Sequence, residues 1–293
     1  MRGLPSRKNK RAGAGRVGPK ADEGEDGLGA PDGGLSLRAM LPNAITAAAL
    51  CAGLTGVRFA VEGQFAYAIL AVILAGVLDG MDGRIARLLN AQSRFGAELD
   101  SLADSISFGV APALILYMWV LKDLERFGWF AALAFAICCA LRLARFNAQI
   151  DVEEQPHKSA GFLTGVPAPV GAGLAFTPLY LWLETGMELF RDPLFNALWV
   201  SAIAVLFISN MATLSWTAIR PRRDIRLWLI AVVAIAFAAA LLEPWWTLTA
   251  ISAGYLALMP VALLRYGKVK KRRARKAALA AETAETEITP PSE

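Results

Sequence analysis

Four aspartates stand between Asp79 and Asp104, in the stretch LDGMDGRIARLLNAQSRFGAELDSLADS, with strongly apolar sequence on either side. Asp79, Asp82, Gly83, Ala86 and Arg87 fall at i, i+3, i+4, i+7 and i+8, which on a helix is one face. Gly96, Asp100 and Asp104 fall at i, i+4 and i+8, again one face. Two helices joined by a short turn around residues 89–94 bring the four carboxylates together. Such an all-oxygen donor set suits one or two hard divalent cations, Mg²⁺ or Mn²⁺. Two ions about 3.5–4 Å apart clamp a phosphoryl centre and stabilise both the attacking and the leaving oxygen. Gly83 and Gly96 have no side chain to keep a nucleotide or pyrophosphate away. Arg87 neutralises phosphate charge, and a carboxylate left free can take the proton of an attacking alcohol. The set suits displacement at phosphorus with a nucleotide leaving group.

The setting makes these acids expensive. A carboxylate at membrane depth costs about 2.5–3.5 kcal/mol, so four cost roughly 10 kcal/mol if deep and unpaired. Pairing of Asp82 with Arg84 or Arg87 is the structural alternative, and it explains neither the glycines nor the number of acids.

The elements that must position them are membrane helices. The chain has 293 residues, 56% hydrophobic, with mean hydropathy +0.44, which excludes an ordinary soluble domain. The expected fold is all-α, a polytopic helical bundle of about eight spans, near 41–61, 64–90, 95–121, 127–148, 161–183, 194–215, 227–242 and 247–264. The divisions are a disordered basic tail over 1–40 with no signal-peptide core, six spans over 41–215, two more over 216–266, and a second tail over 267–293. Pro167, Pro169 and the glycines of GFLTGVPAPVGAG predict a broken entry to the fifth span. Cys51, Cys138 and Cys139 lie in apolar runs and read as packing residues. His157, alone in a polar loop, is given no role.

Eight spans place both tails on one side, together with all but Arg58, Lys122, Arg126 and Arg191 of the 30 Lys and Arg. By the positive-inside rule both termini, and the mouth of the aspartate site, face the cytoplasm across a bacterial-type inner membrane. Arg142 and Arg145, near the end of the fourth span on that side, either snorkel to head groups or form an anion site. Asn43 and Thr46, at the start of the first span, either cap the helix or face a nucleotide.

The pattern D-x2-D-G-x2-A-R-x8-G-x3-D-x3-D resembles, at all eight defining positions, the signature of the CDP-alcohol phosphatidyltransferase family. That resemblance implies metal ligation by Asp79, Asp82 and Asp100, with Asp104 as general base and possible fourth ligand. It implies contact of Gly83, Ala86, Arg87 and Gly96 with the CDP moiety of CDP-diacylglycerol, and release of CMP on attack by an alcohol. LPNAIT resembles the family at the first span, which adds Asn43 and Thr46 to the CDP-diacylglycerol contacts. LPNAIT, FGAELDSLADSISFGVAPALILY, and ALRLARFN followed by FLTGVPAPVGAG resemble the phosphatidylserine synthase branch, implying L-serine as acceptor. Arg142, Arg145 and Asn147 are then candidates for its pocket, from charge alone. The family implies two divalent cations, membrane lipids as surroundings, a homodimer and no nucleic acid. Glycerol 3-phosphate or inositol phosphate as acceptor is the alternative within the chemistry. An ion-coupled transporter is the remote one, disfavoured because all four acids lie in one block with no second block to match.

Overall fold

The computed structural model describes residues 37–148, 162–209, 212–214 and 223–260. Most of the first tail, the loop with His157 and Lys158, Arg220 and Arg222 of the basic loop, and the last tail lie outside them.

The chain forms a helical bundle. α1 runs over Leu37–Val61 and α2 over Phe65–Leu88. α3, Arg94–Asp104, continues through a π-helical turn, Ser105–Val110, into α4, Ala111–Trp119. A 3₁₀ turn, Leu121–Leu124, leads into α5, Glu125–Ala148. These segments make four candidate membrane spans, Met40–Val61, Phe65–Leu88, Arg94–Trp119 and Leu121–Ala148, close to the first four expected. α1 starts four residues earlier than expected, so Pro42 stands inside the helix instead of at its start.

The later elements are shorter. The expected fifth span is broken at Phe176 into α6, Ala168–Ala175, and α7, Thr177–Thr185. α8 covers Pro193–Ile208, started by Asp192, whose Oδ1 accepts from Phe195 N at 2.6 Å. Two three-residue strands pair antiparallel, β1 (Phe162–Thr164) in the entry to the fifth span that is expected to be broken and β2 (Ala212–Leu214) where the sequence predicts helix. Pro167 explains the delay before α6, since proline disfavours helix in the residue before it. α9, Arg223–Leu242, and α10, 244–260, close the described chain.

The core sits between α4, α5, α7 and α8. Trp119, Phe135, Tyr180 and Phe207 are fully buried there, and Phe135 meets Phe207 edge-on at 5.2 Å. Outward, Leu74 is 52%, Phe130 63% and Leu198 65% exposed. Many large apolar side chains on the outside and four long apolar helices suit lipid as solvent and make this a polytopic helical membrane protein.

α1 lies along both α2 and the π turn, and glycine permits the second approach. A Cβ on Gly53 would stand 2.9 Å from the Cα of Ser107, which is backbone and cannot swing aside. Gly53→Val is therefore expected to lower the melting temperature of the detergent-solubilised protein by several degrees, for an overpacking cost of about 1–3 kcal/mol. An unchanged melting curve would mean that α1 does not pack this closely.

Candidate active site

α2 ends in a tight turn. Ala91 N donates to Ala86 O at 2.9 Å, Asn90 takes a left-handed φ of 49°, and Ser93 caps α3 by accepting from Gly96 N at 3.0 Å. This turn holds the two halves of the aspartate motif side by side. One carboxylate oxygen from each of Asp79, Asp82 and Asp100 lies within 4.8 Å of the others. Asp82 is 4% exposed and accepts from the buried Thr46 Oγ1 at 2.5 Å, which ties α1 to the cluster. Among the described residues none of these three acids is in an ion pair. Arg87 instead donates from Nε to Gly83 O at 3.0 Å, so the pairing alternative is set aside.

Oδ1 of Asp100 is buried and has no hydrogen-bond partner. A buried acceptor without a donor is costly. Three converging carboxylates with one orphaned oxygen fit a hard divalent cation, whose ligands are oxygens. Asp104 stands apart from this triad. One turn further along, at the edge of the π turn, it meets the side chain of Asp79 and lies within electrostatic reach of Arg142. Single π turns insert an extra residue and often occur at functional sites. This one lies between Asp104 and the buried Ile115, and its own Phe108 is buried.

Two members of the triad, Asp82 and Asp100, line a cavity of about 340 Å³. All six residues expected to meet the nucleotide line it: Asn43, Thr46, Gly83, Ala86, Arg87 and Gly96. A Cβ on Gly96 would crowd Asn43 Oδ1 at 2.9 Å, so that glycine lets α3 approach α1. A Cβ on Gly83 would meet no protein atom within 4 Å, so a side chain there fills the cavity and nothing else. Gly83→Leu is expected to leave the melting temperature within a degree or two and to raise KM for the nucleotide substrate tenfold or more. Unchanged KM would remove this cavity from the binding site.

The three residues proposed for a second substrate divide. Arg142 is half-buried beside Asp104, and its Nε is buried without a hydrogen-bond partner. Asn147 Nδ2 donates to Ser101 Oγ at 2.8 Å, next to Asp100. Arg145 turns elsewhere, donating from Nη1 to Ile208 O at 3.0 Å at the end of α8. Sequence reasoning missed Tyr255 of α10, which lies within electrostatic reach of Arg142. The spacing of α10 in the sequence, more than a hundred residues from Arg142, carries no signal of that contact.

A family model described as CDP-alcohol phosphatidyltransferase matches residues 39–216, and one described as CDP-alcohol phosphatidyltransferase 2 matches residues 224–260. The chain is 40% identical over 238 residues to a CDP-diacylglycerol–serine O-phosphatidyltransferase of Mycobacterium tuberculosis (strain ATCC 25618 / H37Rv), covering 80% of this chain and 82% of that protein. A Mycobacterium leprae protein of the same name is 40% identical over 224 residues, 76% of this chain and 74% of its own. One from Helicobacter pylori (strain ATCC 700392 / 26695) is 37% identical over 177 residues, 59% and 70% of the two chains.

Proposed function

The chain belongs to the CDP-alcohol phosphatidyltransferase family, and from that membership and the aspartate cavity we propose that it transfers the phosphatidyl group of CDP-diacylglycerol to L-serine, releasing CMP. The observation that carries this reading is that Asp82 and Asp100, two of the three clustered aspartates, line the same cavity as Asn43, Thr46, Gly83, Ala86, Arg87 and Gly96.

Asp79, Asp82 and Asp100 would hold divalent cation, two ions by the family resemblance, and Asp104 could join them. The all-oxygen set suits Mg²⁺ or Mn²⁺. Bound there, the metal neutralises charge on the pyrophosphate and stabilises the oxygens entering and leaving phosphorus. The protein's own groups do the rest. Thr46 fixes the rotamer of Asp82. Arg87 supplies a cation at the cavity wall. Gly83 leaves room for the nucleotide. Asp104 takes the proton of the serine hydroxyl as that oxygen bonds to phosphorus and the CMP oxygen departs.

Arg142 and Asn147 favour serine as the acceptor. A serine carboxylate calls for one guanidinium near the base, and Arg142 lies there with an unsatisfied Nε. Arg145 donates from Nη1 to Ile208 O at the end of α8, which leaves Arg142 as the guanidinium assigned to the acceptor. The broken α6–α7 pair, α8, α9 and α10 complete eight spans, six in a catalytic core over 41–215 and two beyond it. Both termini and the cavity mouth then face the cytoplasm across the inner membrane, lipid tails stay in the bilayer, and the enzyme works as a homodimer.

The test follows CMP release from CDP-diacylglycerol by purified protein with divalent metal and L-serine, glycerol 3-phosphate or inositol phosphate. Metal-dependent release with serine alone is expected, and Arg142→Gln is expected to raise KM for serine tenfold or more with a smaller change in kcat. Release only with a phosphorylated acceptor overturns the serine assignment. Failure with every acceptor, from folded protein, overturns the reaction.

A further inference from the structure

At the opposite end of the bundle from the aspartates lies a second cavity, of about 300 Å³. It is lined by Ala60 and Val61 at the end of α1, Gly63 in the turn to α2, Phe65 at the start of α2, Met118 near the end of α4, Lys122 in the 3₁₀ turn before α5, and Arg191 before α8. Phe65 and Asp82 are separated by most of α2, about 25 Å at 1.5 Å per residue, so the two cavities belong to opposite faces of the membrane.

Its charge is the unusual feature. Sequence on this face is rich in acids, yet both polar side chains that reach the cavity are cations. Neither Lys122 nor Arg191 has an ion-pair partner among the described residues. Two of the acids beside the cavity are engaged elsewhere, and Asp123 and Glu188, close in sequence to the two cations, form no ion pair with them. Glu62 binds Arg58 at 3.0 Å, and Asp192 caps α8 at Phe195 N. Arg191 is also held in place, with its guanidinium 5.3 Å from the centre of the Trp182 ring. Two cations without an ion-pair partner among the described residues, one of them positioned, therefore line a cavity whose remaining walls are apolar and include exposed Val61, 71% accessible.

We propose that this cavity binds the phosphodiester of a membrane phospholipid in the leaflet opposite the active site, with Lys122 and Arg191 on the phosphate and an acyl chain against Val61, Phe65 and Met118. Paired cations at the interfacial ends of membrane helices suit a phospholipid head group, and the apolar walls favour a lipid over a free anion. The inference does not rest on the proposed reaction.

The test uses the full chain, purified in detergent, with phosphatidylglycerol retention read by native mass spectrometry. Lys122→Gln/Arg191→Gln is expected to lower retention about tenfold or more, while the charge-keeping Lys122→Arg/Arg191→Lys stays within about threefold of the parent. Val61→Trp, which narrows the cavity and keeps both charges, is expected to lower retention as well, so a double variant that fails to fold does not end the test. Cavity variants that retain lipid like the parent overturn the site. Short-chain phosphatidylglycerol should raise the melting temperature of the parent protein where equal inorganic phosphate does not. Equal protection by phosphate overturns the lipid assignment.

Discussion

Asp100→Asn is expected to give a folded protein that releases CMP at least about 10³-fold more slowly than the parent, for a loss of about 4 kcal/mol of transition-state stabilisation. Asparagine matches aspartate in size, and Asp100 Oδ1 has no hydrogen bond to lose. Burying a neutral amide in place of a carboxylate beside Asp79 and Asp82 removes like-charge repulsion, so the apo protein should melt no lower than the parent. What disappears is one anionic ligand of a three-oxygen set, and with it much of the affinity for a divalent cation. Metal titration followed by CMP release separates the outcomes. A large rise in the metal concentration needed for half-maximal rate, with the rate still depressed at saturation, is expected. Activity within tenfold of the parent at ordinary metal concentration would sink the triad as the metal centre. Asp82→Asn is a less clean probe, because Asp82 also receives the Thr46 hydroxyl and its replacement disturbs the α1–α2 contact.

The sequence carried this site because its spacing is local. Asp79 through Arg87 obey helical periodicity on one helix and Gly96 through Asp104 on the next, and a turn of a few residues leaves the two faces little freedom to separate. Asn43 and Thr46, distant in sequence, reached the same cavity because they begin a span that must start at the same membrane surface. The irregular entry to the fifth span was legible from Pro167, Pro169 and the glycines, and residues 162–167 are indeed non-helical, but other irregular backbone was not. The π turn at 105–110, the break at Phe176 and the β1–β2 pair leave no mark in hydropathy, which reads SISFGVAPALILY as continuous helix. Arg142 and Arg145 show the limit of charge reasoning. They lie three residues apart on α5, yet one faces Asp104 and the other reaches the end of α8. Which of two neighbouring arginines enters a site depends on where α8 ends, and the sequence of α5 alone does not contain that.

Asp104→Asn is the companion prediction, and it differs in kind. Asp104 lies outside the oxygen triad, one helical turn beyond Asp100, where it meets Asp79 and comes within reach of Arg142. A group that meets the oxygen triad at Asp79 and lies within reach of Arg142 is where a proton acceptor for the attacking hydroxyl belongs. Removing its basicity is expected to cut kcat by about 10²–10⁴-fold, the usual weight of general-base catalysis. The metal requirement should move by less than tenfold, and KM for CDP-diacylglycerol should stay nearly unchanged. The two aspartate variants then separate two roles. Asp100→Asn shifts the metal titration and the rate together, whereas Asp104→Asn lowers the rate at every metal concentration without shifting the curve. If Asp104→Asn shifts the metal curve as far as Asp100→Asn does, Asp104 is a fourth ligand whose side chain closes on the cation. The proton must then leave through another group. Asp79, which touches Asp104 and sits within the triad, would be the next residue to replace.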